Sequence, residues 1–246
     1  MLKILEKYFK PIELGLTLNS RPTIDENRDP LIKIEPIHKR LFIRPSYFEQ
    51  QIPNSLKAIY LRQQAAKQLL QALSTLPEDY SFILYDGFRP LQVQSFLFER
   101  VQSDIQKIYP HWTIEQIREE TLKYVAFPSV EKGYPAPHLT GGAIDLTLGD
   151  SFGRARDLGT DFDETNFKSA TAYFEANPSE NREAFKNRRI LFHSMTDAGF
   201  QNYEEEWWHY DYGNVTWARK ADKQQAIYGP ILATIKQNEV EEYQFI

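Results

Sequence analysis

The 246-residue sequence contains no cysteine. That removes disulfides, thiolate catalysis and every Cys-based metal site at once, so any metal must be held by imidazole and carboxylate. Only five histidines could serve: His38, His111, His138, His193 and His209. No apolar run approaches the roughly 20 residues that a spanning helix needs, so no membrane partner is expected. A basic excess is missing as well. The 29 Lys and Arg are outnumbered by 34 Asp and Glu, neither sign clusters, and the net charge of −5 makes nucleic acid a poor partner. The start, MLKILEKYFKPIELGL, alternates charged with apolar residues and has no small-residue cleavage site. It predicts no secretory signal, and the absence of Cys fits the cytoplasm that is the expected compartment. Oligomeric state is left open.

Against these absences stand 41 % apolar and 14 % aromatic residues, enough for a packed core. No repeat or low-complexity linker divides the chain, and a single domain over 1–246 is expected. The first 50 residues, rich in Pro and charge, read as loops with short extended pieces. From Asn54 the apolar residues Leu56, Ile59, Tyr60, Ala66, Leu69, Leu70 and Leu73 recur at helical spacing up to Pro77. SFILYDG reads as a buried strand entering a turn. Pro90 is placed to open a helix to about Ile108, and TIEQ, residues 113–116, has a capping-box pattern for a helix to about Val125. After the loop PSVEKGYPAPHLTGG comes the strand AIDLTL, and a helix over Ser179–Ala198 closes at Gly199. The fold class is α+β, with helices flanking a small, mainly antiparallel sheet.

Three stretches carry chemistry. In HLTGGAIDLTL, alternation turns Ile144, Leu146 and Leu148 to the core and aims Asp145 the other way, with His138 seven residues before it. Gly141 and Gly142 let the loop fold back closely. The bland alternative is a surface His and a strand Asp that never meet. In YEEEWWHYDYG, a strand over 207–212 would place Trp207, His209 and Asp211 on one face. Glu206 would then face away from His209 unless it lies before the strand or beside a bulge; the alternative is an aromatic strand with an incidental His. Together, His138, Asp145 and His209 form a three-ligand zinc set of two imidazoles and one carboxylate. The fourth position stays open for a water whose pKa the metal lowers to about 7. Glu206, three residues from a ligand, is placed as general base and then acid. In DGFRP, Arg89 ends a buried strand. It could stabilise an oxyanion, clamp a substrate carboxylate or simply pair with a neighbouring acid.

These pieces in this order resemble the zinc D-alanyl-D-alanine dipeptidases of the vancomycin-resistance type, relatives of zinc D,D-carboxypeptidases. The matching stretches are IYLRQQAAKQLLQAL, DGFRP, HLTGGAIDLTL, LGTDFD, NRRILFHSMTDAGF and EWWHY, within about residues 56–212. The resemblance implies one zinc ion per chain on His138, Asp145 and His209, with Glu206 as catalytic base and acid. It also implies Arg89 as transition-state stabiliser and Asp163 as the contact for a substrate amino group. The implied substrate is a small dipeptide, D-alanyl-D-alanine or a related D-amino-acid dipeptide. The alternatives are a D,D-carboxypeptidase acting on cell-wall peptides and a zinc-binding protein without turnover. The family's Ser-x-His is Ala136-Pro137-His138 here, Leu139-Thr140 follow the His, and a family tyrosine falls at Pro45. The end of the chain, AIYGPILATIKQNEVEEYQFI, reads as a helix plus tail.

Overall fold

Five strands form the central sheet: β1 (Leu41–Ile43), β2 (Ser81–Asp86), β3 (Ala143–Gly149), β4 (Gln201–Asn202) and β5 (His209–Asp211). Their spatial order is β1-β2-β3-β5-β4, with only the β1–β2 pair parallel, so the sheet is mainly antiparallel as expected. The computed structural model describes residues 6–15, 20–36, 38–131, 133–164 and 166–246. Parts of the N-terminal segment read as loops (1–5, 16–19 and 37), and residue 132 of the loop before β3, lie outside the described residues.

Strand β3 sits in the middle of the sheet and is buried along its whole length. Ile144, Leu146 and Leu148 join the main core with Phe82 and Leu84 of β2, which leaves Asp145 on the opposite face. Helices α1 (Gln63–Thr75) and α4 (Arg182–Asp197) cover the core face through Leu69, Leu73, Leu191 and Met195. On the other side, α2 (Leu91–Ile108) sends Val93 and Leu97 against Tyr47 and Ile52, and α3 (Ile114–Thr121) packs beside it.

Local signals placed several boundaries well. Pro90 caps α2 with extended ψ rather than being its first residue, and the helix ends at Ile108. The Thr113/Gln116 capping box is formed in both directions, although α3 stops at Thr121. Asn181 caps α4 by accepting the Ala184 N–H, so the helix begins at Arg182, three residues beyond the expected start, and Gly199 follows the helix with φ +92°.

Two expectations fail. The helix placed from Asn54 begins only at Gln63. Asn54 adopts φ +63°, and Tyr60–Arg62 pairs antiparallel with Leu31–Lys33, so long-range pairing overrides a helical spacing. The C-terminal helix is instead a hairpin of β6 (Ile231–Lys236) and β7 (Glu239–Phe245). Its turn residues Gln237 and Asn238 both hold positive φ, the mirror-image turn that matches strand twist. Ile231, Ala233, Ile235, Val240 and Phe245 then bury against Leu31, Leu56, Ala58, Tyr60 and Phe88.

Arg62 joins these remote parts. Fully buried, it donates to the Glu26 carboxylate and to the carbonyls of Asp29, Thr140 and Gly229. Its guanidinium lies between the rings of Tyr228 and Phe245. The loop that precedes β3 is thereby tied to both chain ends.

The same loop is tight at Gly142, where a Cβ would stand 2.2 Å from the Tyr212 carbonyl oxygen. Gly142→Ala is therefore expected to cost about 2 kcal/mol by overpacking, or roughly 4–8 °C in Tm for a chain of this length. Thermal unfolding checks it, and an unchanged Tm would mean that the strand β3–β5 junction can yield.

Candidate metal centre

The three candidate ligands arrive from two adjacent strands and one short turn. Asp145 of β3 lies directly opposite His209 of β5 in the antiparallel register, so both side chains leave the same face of the sheet. His138 sits in a 3-10 turn, Pro137–Thr140, which Pro137 opens and Gly141 closes at φ +70°. That left-handed residue turns the chain into β3 and brings the imidazole back over Asp145.

His138 Nε2 lies 3.2 Å from His209 Nδ1 and 3.3 Å from Asp145 Oδ2, and His209 Nδ1 lies 3.0 Å from Asp145 Oδ1. A tetrahedral zinc ion with ligand bonds of about 2.0–2.1 Å requires neighbouring donor atoms about 3.3 Å apart. The two imidazole nitrogens stand close to that separation, each ring faces one oxygen of the Asp145 carboxylate, and one ligand atom from each residue lies within 4.8 Å of the others. All three residues are buried.

The orientation of each ring is held from behind. His138 Nδ1 is 2.7 Å from the Gly87 carbonyl oxygen, which can only accept, so the proton sits on Nδ1 and Nε2 offers its lone pair to the site. His209 Nε2 is 3.2 Å from Asp211 Oδ2, and Asp211 also accepts from Asn214 Nδ2 at 2.5 Å. Two lone pairs and a carboxylate thus converge on one buried point, a donor set that fits zinc. Burial opposes charge on Asp145, yet His138 and His209 hold its carboxyl well below the usual range. Burial likewise disfavours charge on His209, but Asp211 and Asp145 push its pKa well up. A divalent cation satisfies the same carboxylates by displacing that proton.

Glu206 answers the question of face raised by EWWH. The expected strand over 207–212 is only His209–Asp211, and Glu206 precedes it in a turn where its N–H bonds to the Tyr203 carbonyl. The tryptophans do not alternate: Trp207 and Trp208 both enter the main core, with rings edge to face at 5.2 Å. Trp208 also borders the cavity that Glu206 and the three candidate ligands line. Burial, reinforced by Asp145 and Asp163, pushes the Glu206 carboxyl up to about 8, against the pull of His209 and Arg89. A cation in the site would draw it back toward neutrality.

Arg89 follows the end of β2 and faces the cavity. It is also paired, donating to Asp86 at 2.7 Å and to Gln94 Oε1 at 2.9 Å. Its remaining nitrogen, Nη2, lies 3.3 Å from the Tyr47 hydroxyl and 3.5 Å from Asp145. A register shift between Leu84 and Asp86 sets Asp86 opposite Asp145 and so delivers this anchor. Burial works against the cation, but Tyr47, Asp86 and Asp145 keep it firmly protonated. Asp163 lines the cavity from a left-handed residue, φ +64°, with Tyr47 Oη donating to its Oδ2 at 3.5 Å.

All six expected residues therefore share one cavity of about 890 Å³. Four others were not foreseen. Asp86, Gln94 and Asp211 orient their neighbours, and only the position of Asp211 on the His209 face hinted at a role. The fourth is Tyr47. Pro45 stands where a tyrosine was expected, but it caps the single helical turn Ser46–Glu49, which carries the Tyr47 phenol into the site two residues later.

The model of the D-ala-D-ala dipeptidase family matches residues 48–227, a wider span than the 56–212 read from motifs. The D-alanyl-D-alanine dipeptidase of Synechocystis sp. is 31 % identical over 191 residues, covering 68 % of this chain and 77 % of that protein. The Escherichia coli D-alanyl-D-alanine dipeptidase is 32 % identical over 165 residues, with coverages of 63 % and 70 %. Among solved structures the chain is similar to VanYB in complex with D-Alanine-D-Alanine, at 15 % identity and a TM-score of 0.37, over 69 % of this chain and 82 % of that one.

His209→Ala is expected to abolish stoichiometric zinc, and Asp211→Asn to keep zinc with about 10–100-fold weaker affinity. Competition against a chromophoric chelator measures both. A His209→Ala protein that still held one equivalent would remove His209 from the ligand set.

Proposed function

This chain belongs to the D-ala-D-ala dipeptidase family, and we propose that it hydrolyses D-alanyl-D-alanine, or a close D-amino-acid dipeptide, with zinc held by His138, Asp145 and His209. The reading is supported chiefly by two imidazoles and a carboxylate whose ligand atoms converge within 4.8 Å of one another in a cavity that Glu206 also lines. Zinc, when bound, supplies a Lewis acid that polarises a carbonyl and acidifies a water.

The chain's own groups do the rest. Glu206 takes the proton of the attacking water and returns it to the leaving amine, so peptide plus water becomes two free amino acids. Its raised proton affinity suits both directions of transfer near neutral pH. Arg89, locked by Asp86 and Gln94, offers Nη2 to the negative charge that grows on the carbonyl oxygen. Because its position is fixed before substrate arrives, no reorganisation is needed when that charge develops. Asp163, with Tyr47 beside it, holds the substrate ammonium, which disfavours peptides lacking a free N-terminus. The tryptophans under Glu206 keep its turn rigid and its surroundings poor in water.

The same proposal takes residues 1–246 as one catalytic domain, because the C-terminal hairpin packs on Leu31, Leu56 and Tyr60. It places the reaction in the cytoplasm, on a dipeptide of cell-wall metabolism. Among the described residues, no helix is long and apolar enough to cross a membrane.

The test is a zinc-loaded assay over L,L-, L,D-, D,L- and D,D-dipeptides, with a muramyl pentapeptide alongside. Turnover confined to D,D-dipeptides is expected; preference for the pentapeptide would favour a D,D-carboxypeptidase. Glu206→Gln should retain zinc while kcat falls about 10²–10⁴-fold. Near-normal turnover in that variant would overturn the assignment of Glu206.

A further inference from the structure

The cavity extends well past the zinc ligands. Its volume of about 890 Å³ exceeds twice the need of a dialanine's eleven heavy atoms, even at the roughly 30 Å³ that a water takes in the liquid. Four cations line it: Arg89, Arg100, Lys123 and Arg219. Arg89 is paired with Asp86 and Lys123 with Glu120, each at 2.7 Å, and Arg219 also has a partner.

Arg100 differs. It stands in the middle of α2, one turn beyond buried Leu97 and beside Val101, half-buried in the cavity wall. Among the described residues it makes no hydrogen bond or ion pair. Asp104, one turn further on, is engaged by Lys107 at 2.8 Å. Asp104 feels the charge of Arg100, yet no carboxylate among the described residues is hydrogen-bonded to the guanidinium, so a partly withdrawn cation here is better satisfied when a ligand supplies one. Its planar fork matches a carboxylate with two parallel hydrogen bonds. Its field also reaches Asp163 on the same cavity. Two peptide residues span at most about 7 Å, a length suited to a zwitterion stretched between one fixed anion and one fixed cation.

We infer that Arg100 binds the α-carboxylate of the dipeptide while Asp163 holds its amine, and so restricts the enzyme to substrates that end at the residue after the scissile bond. This rests on the dipeptidase reading above and names the residue that measures substrate length at the C-terminal end. The contact is remote from the bond being broken and is the same in ground and transition states. Its loss therefore weakens binding without slowing chemistry. Arg100 also orients the dipeptide, since a chain bound in reverse would set like charges together at both ends.

The experiment compares D-alanyl-D-alanine with its C-terminal amide in the zinc-loaded wild type, Arg100→Gln and Arg100→Lys. For wild type, the acid should be preferred to the amide. In Arg100→Gln, KM for the acid should rise about 30-fold, in line with a lost charge-assisted hydrogen bond. Its kcat and the kinetics on the amide should stay close to wild type, so that discrimination collapses. Arg100→Lys should restore part of it. An acid-to-amide ratio unchanged in Arg100→Gln, or a wild type indifferent to amidation, would overturn the role of Arg100 and leave the dipeptidase reading intact. A wild type that cleaves neither compound would overturn the dipeptidase reading itself, and Arg100's role with it.

Discussion

Two imidazole lone pairs and a carboxylate directed at one buried point repel one another unless a positive charge lies between them. The rest of the molecule is arranged around that constraint. Strand register sets Asp145 opposite His209, and a proline-opened turn returns His138 over both. The Gly87 carbonyl and the Asp211 carboxylate then fix which nitrogen of each ring faces inward. None of these supports is a ligand, yet without them the rings would be free to turn their lone pairs away from the shared point.

The buried charges next to the site obey the same logic. Arg89 is tolerable in the interior because Asp86, Gln94 and Tyr47 occupy its donors. Asp86 in turn approaches His138 Nδ1 at 3.5 Å. Cation, carboxylate and metal-side imidazole therefore form one connected network in which each member's geometry depends on the next. Arg62 serves the opposite wall, where its bonds to Thr140, Glu26 and Gly229 tie the His138 turn to the two ends of the chain. The C-terminal hairpin lies past the residues matched to the family, and through Phe245 and Arg62 it becomes part of that support.

How far the fold could be read along the chain depended on whether its signals were local. The Thr113/Gln116 capping box and the alternation of Ile144, Asp145 and Leu146 each act within a turn or a strand and appear where expected, and Pro90 misses its place by one residue, capping α2 instead of opening it. The stretch before Gln63 misled because its apolar spacing is helical while its backbone partners are at Leu31–Lys33, about 30 residues upstream. The final segment misled because Gln237-Asn238 is a weak turn signal by residue type. Only the packing of Ile231 and Phe245 on Tyr60 and Phe88 makes the hairpin worth forming. Glu206 is an intermediate case: the face problem showed that it must precede the strand, but only the Tyr203 and Asn202 contacts reveal where the strand begins.

By itself the sequence determined the donor chemistry. With no thiol available, a carboxylate and histidines had to carry any metal, and the motif order singled out His138, Asp145, His209 and Glu206 as the candidates that the fold brings to one cavity. The tertiary structure alone decided which remote groups complete the site. Tyr47 and Arg100 stand outside every motif, Asp86 and Asp211 lie inside motifs that gave them no role, and they matter because strand register, a β-bulge and the face of one helix set them in or beside one cavity. Those placements depend on hydrogen-bond pairing and burial between segments far apart in the chain, and no short window of residues encodes either.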